Sequence, residues 1–399
     1  MARKFNLRRA CAALKPFPAT VLFFAFLFGM MAADWLLPDR ASSELENKTL
    51  QQRPTLSLSA LFSDKGAKTL NTFFTRESKY VKEQFTGRDV WIDLQSRCET
   101  QLFCKTENGG MLLGAEGMEF PRTYGLLASE QTTLPKNIAA LQALGARCGA
   151  RVSLMLVPSA ASVYPQDVPA HAPLYDENAR IDDAEAQIAA SGVSILDIRS
   201  TLAAHSAEYL YYRTDHHWTA DGAYYAYAAY CAQQGLTPLD RSTLTAHTVP
   251  DFYGTHYSAS RYWRAEPDTI TWYDFDSTLT VYKVTAADAA EPVQTTGLYD
   301  ESKFAVRDKY AAFLYGNNGY SRLTGSGTGS VLVVKDSFAN SMVPYLTANY
   351  ATVDVVDLRD YGFGLDALIA KNDYDSILVL YSYASFKSDT NLYKAGIAG

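Results

Sequence analysis

The sequence predicts a three-layer α/β fold, in which helices cover both faces of a parallel sheet. From Leu134 onward, short apolar runs alternate with segments of helical spacing, which is the pattern of a parallel sheet with crossover helices. One run, Val331 to Val334, has four consecutive apolar residues without polar alternation, as expected for a strand buried on both faces. With 48% hydrophobic residues among 399, the chain can bury a core of the size that this fold needs.

The N-terminal segment 1–38 predicts a membrane anchor. Residues 1–16 carry five Lys and Arg side chains and no acid, and residues 18–38 are almost wholly apolar. A basic flank before about 20 apolar residues indicates a single spanning helix with its basic end in the cytoplasm. We therefore expect a single-pass cell-membrane protein whose C-terminal domain is extracytoplasmic. A signal peptide cleaved near Met31-Ala32-Ala33 is the alternative, and it would give a secreted protein.

Residues 39–125 are predicted to form a stalk, a helical region and a hairpin that pack on the main body. The polar residues 39–60 follow the anchor as the stalk. Leu61 to Leu94 has the spacing of one or two amphipathic helices. Gly109 to Gly117 places glycines on both sides of an apolar run, which favours a hairpin with glycine turns.

Residues 126–399 form the predicted main domain. The expected strands are Val152–Val157, Val193–Ile198, Ala311–Tyr315, Val331–Val334, Val353–Val356 and Ile377–Tyr381. The expected helices are Leu134–Gly149, Asn178–Ser191, Ala220–Gln234, Phe338–Tyr350 and Leu365–Lys371. Between about Leu239 and Lys309, short alternating runs rich in Tyr, Trp and Thr predict antiparallel strands. We expect this β-rich insertion to cover the carboxyl edge of the sheet.

Charge and cysteine content exclude some classes of protein. A net charge of −7 gives no broad positive field, so a nucleic-acid-binding function is set aside. Outside the membrane an even number of cysteines could pair, and Cys98 and Cys104, close in sequence, are the preferred disulfide. No Cys-x-x-Cys or His-x-x-x-His spacing occurs, so we predict no metal site and no cofactor.

Ser337 stands where the strand Val331 to Val334 gives way to helical spacing, after Lys335 and Asp336. Ligands of open α/β sheets bind beyond the carboxyl ends of the strands, and a helix start offers N–H groups to an oxyanion. A hydroxyl at this turn is therefore well placed to be a nucleophile. The alternative is that Ser337 only caps the helix.

A second motif, Asp215-His216-His217-Trp218, precedes the predicted helix at Ala220. In an extended segment, positions two apart point the same way, so Asp215 and His217 share a face. The carboxylate can then orient the imidazole, which leaves its other nitrogen free to take a proton from a serine. We predict that Ser337 is that serine. A capped helix start with histidines bonded to the backbone is the alternative.

The tetrahedral intermediate of such a site needs hydrogen-bond donors for its oxyanion. The backbone N–H of Ser337 is the first candidate. Further donors are expected in the turn that follows Tyr315, at Gly316, Asn317 and Asn318. Arg359 and Tyr381 end other predicted strands, and both are candidates for contact with substrate. An ordinary Asn-Gly turn, and surface or packing roles for Arg359 and Tyr381, are the alternatives.

These motifs carry a family resemblance. Asp-His-His-Trp at 215–218 resembles the name-giving motif of the DHHW family of bacterial proteins. With Lys335-Asp336-Ser337-Phe338 it is similar to the SGNH-hydrolase-like domain of alginate O-acetylation proteins. The likeness extends to Glu44-Leu-Glu-Asn-Lys-Thr-Leu, Gly109 to Gly117, Leu156-Val-Pro-Ser159 and Val356-Asp-Leu-Arg359, but not to residues 239–309.

The resemblance implies an SGNH-type fold and a triad of Ser337, His217 and Asp215. It also implies transfer of acetyl groups to hydroxyls of a cell-surface or exported polysaccharide, beside a multispanning membrane partner that passes acetyl across. It does not imply that the polysaccharide is alginate. A carbohydrate acetyl esterase and a non-catalytic polysaccharide-binding protein of the same fold are the alternatives.

Overall fold

A computed structural model of the chain describes residues 18–57, 59, 62 and 65–397. The chain divides into two compact units, Met1–Gln95 and Ser96–Gly399. The predicted basic flank 1–16, with Cys11, lies outside the described residues, as does the predicted helix start at Leu61. The domain boundary expected after residue 125 stays a prediction.

The first unit contains the apolar segment as a helix. Helix α1, Pro18–Leu36, is the one helix in the described part of the chain that is long and apolar enough to cross a membrane. A short hairpin follows, made of β1, Ser42–Ser43, and β2, Lys48–Thr49. The predicted amphipathic region forms two helices, α2, Gly66–Gln84, and α3, Arg88–Arg97. The last two residues of α3 belong to the second unit.

The second unit contains the main sheet. The strands of this unit are β3 Glu107–Asn108, β4 Met111–Leu113, β5 Glu119–Pro121, β6 Val152–Val157, β7 Ser194–Ile195, β8 Ala246–Phe252, β9 Asp268–Tyr273, β10 Leu279–Ala286, β11 Ala289–Thr296, β12 Tyr320–Thr324, β13 Ser330–Lys335, β14 Thr352–Val356 and β15 Ser376–Ser382. Eight of these described strands pair in the order β11, β10, β12, β14, β13, β15, β6, β7. The five from β14 to β7 are parallel, and the other three are antiparallel. The predicted α/β class is confirmed.

Helices cover both faces of this sheet. The helices of the second unit are α4 Ala128–Thr132, α5 Leu134–Cys148, α6 Ala160–Val163, α7 Glu177–Ala189, α8 Arg199–Ala204, α9 Ala220–Gln234, α10 Thr255–Ser260, α11 Val343–Leu346, α12 Asp366–Asn372 and α13 Tyr383–Phe386. Side chains of β13 alternate between two cores, because Val331 and Val333 pack with α9 while Leu332 and Val334 pack with α5 and α7. Burial of β13 on both faces explains why its sequence is a continuous apolar run.

The strands of the tyrosine-rich region are antiparallel, as predicted, but they belong to two different sheets. β8 and β9 pair with each other, whereas β10 and β11 extend the main sheet through β12. The expected hairpin at Gly109 is also present, with β3 and β4 joined by Gly109 and Gly110 at φ of 55° and 83°. Two consecutive residues of positive φ are what a tight type I′ turn needs, so glycine is required here.

Three expectations are wrong. Ala311 to Tyr315 is not a sheet strand, because a 3-10 turn, Lys309–Ala312, leads into Leu314 and Tyr315 with left-handed φ. Phe338 to Tyr350 is not one helix, since a 3-10 turn, Ser337–Ser341, precedes the short α11. The described cysteines 98, 104, 148 and 231 are all free thiols, so the Cys98–Cys104 disulfide is not formed.

Candidate active site

The carboxyl end of β13 holds Ser337 in place. Asp336, directly after the strand, accepts hydrogen bonds from the backbone N–H of Phe338 at 2.9 Å and from the backbone N–H and hydroxyl of Ser382, at the end of β15, at 2.9 and 2.8 Å. These bonds tie the turn to the neighbouring strand. The Ser337 side chain is partly exposed, so its hydroxyl can be reached from solvent.

The Asp-His-His-Trp segment brings an imidazole to that hydroxyl. The distance from His217 Nε2 to Ser337 Oγ is 2.8 Å, and the distance from His217 Nδ1 to Asp215 Oδ1 is 2.6 Å. His217 and Asp215 are both buried. The alcohol, the imidazole and the carboxylate are therefore joined by two consecutive hydrogen bonds, which is the arrangement of groups in a serine, histidine and aspartate triad.

The carboxylate of Asp215 has four donors. Oδ1 also accepts from the backbone N–H of His217 at 3.0 Å, and Oδ2 accepts from the backbone N–H and hydroxyl of Thr255, at the start of α10. Burial alone would raise the pKa of Asp215, but His216, His217 and these hydrogen bonds hold it well below its usual value. Gly254 is needed beside it, because a β-carbon at that position would overlap the Asp215 side chain.

The other two residues of the motif have separate contacts. His216 bonds Thr255 Oγ1 through Nδ1 at 2.7 Å. The surrounding protein atoms and the neighbouring His217 lower the pKa of His216, although its side chain is 40% exposed. The Trp218 indole N–H donates to the carbonyl of Phe338 and to Ser341 Oγ, both at 2.9 Å. Trp218 thus joins the motif to the turn that follows Ser337.

Sequence reasoning missed Tyr310. Its ring stacks on His217 with centroids 3.8 Å apart and planes inclined by 14°, which fixes the plane of the imidazole. Its hydroxyl donates to the Ser337 carbonyl at 3.1 Å and approaches Ser341 Oγ at 3.2 Å. Asp268 was missed as well, and it anchors the motif by accepting from the backbone N–H and hydroxyl of Thr214. Both residues lie near or within the tyrosine-rich region, where no residue spacing marks them.

The predicted oxyanion turn lies close to Lys335. Asn317 Oδ1 accepts from Lys335 Nζ at 2.8 Å and from Asn340 Nδ2 at 3.2 Å. Asn318 instead donates its amide to the carbonyl of Leu314 at 2.9 Å. Gly316 has a φ of 84°, which suits glycine in this tight turn.

Arg359 and Tyr381 differ in exposure. The Arg359 guanidinium is 40% exposed and pairs with the buried Asp357 at 2.6 Å, and Asp357 also pairs with the buried Lys335 at 3.3 Å. Its hydrogen bond to Asp357 raises the pKa of Arg359, and burial lowers that of Lys335. Tyr381 is fully buried in the core on the α5 side of the sheet.

Within the described residues, one group of side chains has ligand atoms close enough to hold a metal ion, and it is Asp215, His216 and His217. In His217, Nδ1 bonds Asp215 and Nε2 bonds Ser337. In His216, Nδ1 bonds Thr255. A metal ion would have to displace these hydrogen bonds, so the donor set fits proton transfer better than coordination.

His256, on α10, gives a pH prediction. Its ring is buried, 6.3 Å from the His216 ring, and burial lowers its pKa to about 4 despite the nearby Asp215 carboxylate. Because an unfolded histidine titrates near 6.5, the unfolded chain takes up a proton that the folded chain refuses as the pH falls from 6.5 to 4. As the pH falls from 6.5 to 4, the unfolding free energy of the parent should decrease because of His256, and His256→Phe lacks this decrease. We therefore expect the variant's unfolding free energy, measured by urea titration, to fall by roughly 3 kcal/mol less than that of the parent.

The buried Glu119 also makes the stability of the protein depend on pH, so the effect of His256 must be measured as a difference between the variant and the parent. Burial raises the pKa of Glu119 to about 8, so this carboxyl contributes stability below its unfolded pKa that is lost as the pH rises toward 8. In the parent, His256 lowers stability as the pH falls and Glu119 lowers it as the pH rises. Subtracting the pH dependence of the variant's unfolding free energy from that of the parent leaves the contribution of His256. Equal pH slopes for the two proteins would contradict the prediction. His205→Phe is the control, because that ring lies at the surface.

Together, the fold and the site define an α/β protein with a serine, a histidine and an aspartate in hydrogen-bond contact at the carboxyl edge of a mostly parallel sheet. The model of the DHHW protein family matches residues 142–356, more than half of the chain. The chain therefore belongs to the DHHW family. The match includes the tyrosine-rich region and ends before Arg359 and Tyr381. None of the curated proteins matches the chain.

Solved structures share the fold. A DHHW family protein from Eubacterium siraeum is 24% identical, with a TM-score of 0.56 over 72% of this chain and 95% of its own. Bacillus cereus PatB1, solved with a sulfonyl adduct, is 17% identical, with a TM-score of 0.54 over 71% of this chain and 99% of its own. The O-acetyltransferase domain of Pseudomonas putida AlgJ is 16% identical, with a TM-score of 0.44 over 70% of this chain and 92% of its own. At these identities the first two similarities establish the fold, and the third supports no conclusion about this chain.

Proposed function

We propose that the protein is an extracytoplasmic O-acetyltransferase that moves acetyl groups to hydroxyls of a cell-surface or exported polysaccharide. The observation that carries this proposal is the contact of Asp215, His217 and Ser337 at 2.6 and 2.8 Å. The choice of acetyl as the transferred group rests on the resemblance of the two sequence motifs to alginate O-acetylation proteins. No cofactor is needed for this chemistry, since the serine supplies the nucleophile.

The reaction has two half-steps. Ser337 Oγ attacks the carbonyl carbon of the acetyl donor while His217 Nε2 takes the hydroxyl proton, and the leaving group departs with that proton. A sugar hydroxyl then attacks the acetyl-Ser337 carbonyl and gives its proton to His217. His217 passes this proton to Ser337 Oγ as the bond between the serine and the acetyl group breaks, which restores the free enzyme. Asp215 keeps Nδ1 of His217 protonated, so that Nε2 remains the basic nitrogen. The stacked Tyr310 ring resists rotation of the imidazole between the two half-steps.

The oxyanion is bound in this proposal by the backbone N–H of Ser337 and by the amide of Asn317. Because Asn317 Oδ1 already accepts from Lys335 and Asn340, its Nδ2 points away from them and remains available as a donor. Arg359 would bind the acceptor near the site, since its guanidinium is partly exposed and is oriented by Asp357. In this proposal Gly316 and Asn318 shape the turn that carries Asn317. Tyr381, a residue of β15, packs in the core and does not contact substrate.

Asn317→Ala tests the oxyanion assignment. We expect kcat for acetyl transfer to fall about 100-fold with a small change in KM, because an oxyanion donor acts mainly in the transition state. Steady-state kinetics with a chromogenic acetyl ester measure both constants. Asn318→Ala is the matched control, since its amide is already bonded to Leu314. Equal losses in the two variants would remove Asn317 from the oxyanion hole.

Location and partners complete the proposal. Helix α1 would anchor the protein in the cell membrane, with the second unit on the extracytoplasmic side. The acetyl donor would then arrive through a multispanning membrane acyltransferase, as the family resemblance implies.

An experiment with purified full-length protein separates the transferase from its two alternatives. The protein is incubated with 4-nitrophenyl acetate and an added oligosaccharide, and mass spectrometry follows acetyl on the sugar and free acetate. Acetyl on the oligosaccharide is the expected result. Acetate alone would identify an esterase, in which water resolves the acetyl-enzyme. No reaction with the parent or with Ser337→Ala would favour the polysaccharide-binding alternative.

A further inference from the structure

Arg307 and two tyrosines form a cluster on the second unit. The guanidinium carbon of Arg307 lies 5.4 Å from the centre of the Tyr253 ring and 4.9 Å from that of the Tyr257 ring. The centres of the two tyrosine rings are 4.6 Å apart. All three residues are partly exposed, so the cluster is open to the surface. We call these three residues the arginine cluster.

The guanidinium of Arg307 lacks hydrogen-bond acceptors. Two of its nitrogens, Nε and Nη2, are buried and have no hydrogen-bond partner among the residues that the structure describes. Burial lowers the pKa of Arg307, and the like charge of Arg261 lowers it further. No carboxylate in the described part of the chain opposes this effect on its pKa. The cation is therefore held here without a counter-ion from those residues.

The tyrosine rings compensate this cation only in part. The face of an aromatic ring attracts a guanidinium, but it does not replace the oxygen acceptors that N–H groups need. A charged group that is partly removed from water is normally paired. The planar fork of guanidinium donors matches the oxygens of a carboxylate or a phosphate. An anion of this kind would supply both the counter-charge and the missing acceptors.

Both tyrosines lie close to the carboxylate of the triad. Tyr253 and Tyr257 stand two residues before and two residues after Thr255. The backbone N–H and the hydroxyl of Thr255 donate to Asp215 Oδ2 at 2.8 and 3.1 Å. The Tyr257 N–H donates to the carbonyl of Thr214 at 3.1 Å. The segment that bonds Asp215 therefore also carries the two rings of the arginine cluster.

A second segment connects Arg307 to the imidazole of the triad. Arg307 precedes Tyr310 by three residues, so their Cα atoms are at most about 11 Å apart. The Tyr310 ring stacks on His217, with centroids 3.8 Å apart. A polymer that offers one hydroxyl to Ser337 would therefore bring a neighbouring sugar residue within reach of the arginine cluster.

We propose that the arginine cluster binds a negatively charged group of the acceptor polysaccharide, namely a carboxylate or a phosphate near the sugar residue that is acetylated. Arg307 pairs with the anion, and the rings of Tyr253 and Tyr257 pack against the sugar. The identification of this ligand as the acceptor rests on the proposed function. The binding step itself does not require the Ser337 hydroxyl.

Binding to the purified full-length Ser337→Ala protein tests the inference without turnover. Isothermal titration calorimetry compares three oligomers of equal length, an oligogalacturonate with carboxylates, a glycerol phosphate oligomer and a neutral cello-oligosaccharide. We expect one of the charged oligomers to bind at least tenfold more tightly than the neutral one. Which of the two binds distinguishes a carboxylate from a phosphate.

Substitutions at position 307 are made in the same Ser337→Ala protein. Arg307→Gln should weaken binding of the charged oligomer at least tenfold and leave binding of the neutral one unchanged. Arg307→Lys, which keeps the charge but loses the fork, should retain part of the preference. Arg264→Gln is the matched control, because that exposed arginine also stacks on an aromatic ring, with its guanidinium carbon 4.5 Å from the centre of the Trp263 ring.

Two outcomes would overturn the inference. Equal affinity for charged and neutral oligomers, including no binding of either, would show that no charged group is recognised. Equal losses in Arg307→Gln and Arg264→Gln would show that binding follows net charge. By contrast, loss of binding in Arg307→Gln alone, with no acetyl transfer by the parent, would support the anion site and refute the proposed function. Limited proteolysis of each variant checks that the chain still folds.

Discussion

Replacing Ser337 with alanine is expected to lower kcat/KM for acetyl transfer by on the order of 10⁴-fold or more. The substitution removes the hydroxyl that lies 2.8 Å from His217 Nε2 and leaves the rest of the site in place. No acyl-enzyme can form without it. The measurement is steady-state turnover of 4-nitrophenyl acetate, together with detection of acetyl-Ser337 in the parent by peptide mass spectrometry after a rapid quench.

A covalent probe makes this prediction sharper. Because His217 Nε2 lies 2.8 Å from Ser337 Oγ and can take its proton, we expect an arylsulfonyl fluoride to modify this chain at Ser337 and to abolish turnover in parallel. Ser326→Ala is the matched control, since that serine lies exposed in the loop before β13 and should label and turn over as the parent does. Undiminished turnover in Ser337→Ala, or labelling at a different serine, would refute the assignment of the nucleophile.

Asp215→Asn is expected to lower kcat about 10⁴-fold while leaving the fold intact. One oxygen of Asp215 faces His217 Nδ1 and the other faces the backbone N–H of Thr255. An asparagine that keeps its oxygen toward Thr255 must turn its NH₂ toward His217. The imidazole then carries its proton on Nε2 and cannot accept one from Ser337. The opposite orientation would set NH₂ against the Thr255 N–H.

The control for Asp215→Asn is Asp276→Asn, which removes one exposed carboxylate and should keep full activity. The pH profile adds a second readout. Since the pKa of Asp215 is held well below its usual value, the parent should not lose activity by protonation of this carboxyl until the pH falls well below 4. Retention of more than about a tenth of the parent's kcat in Asp215→Asn would contradict the role given to this residue.

Local pattern predicted much of the sheet. β6 was predicted with its observed bounds, and β13, β14 and β15 within one or two residues, because strands buried on both faces are written as continuous apolar runs. The same criterion failed at Ala311 to Tyr315. That run is also apolar and largely buried, but it packs as a turn against Leu298 and Tyr299. A short apolar run records burial and does not by itself distinguish a strand from a buried turn.

β12 was not predicted for the opposite reason. Tyr320 to Thr324 is polar at several positions, including Arg322, whose charge is balanced inside the fold by Asp354 at 2.7 Å. Such a partner comes from another strand, so nothing in the local sequence reveals it. Tyr310 and Asp268 were missed for the same reason, since their roles depend on His217 and Thr214, residues distant along the chain.

The sequence by itself determined the α/β class and the apolar helix at the N-terminus, and it nominated Asp215, His217 and Ser337. These are properties of residue type and local spacing. The tertiary structure alone decided that His217 and Ser337, 120 positions apart, lie 2.8 Å from each other, that Tyr310 stacks on the imidazole, and that Asn317 bonds Lys335. The reason is physical, because a hydrogen bond depends on distances of a few tenths of an ångström, which are set by how strands and loops from across the chain pack around one core.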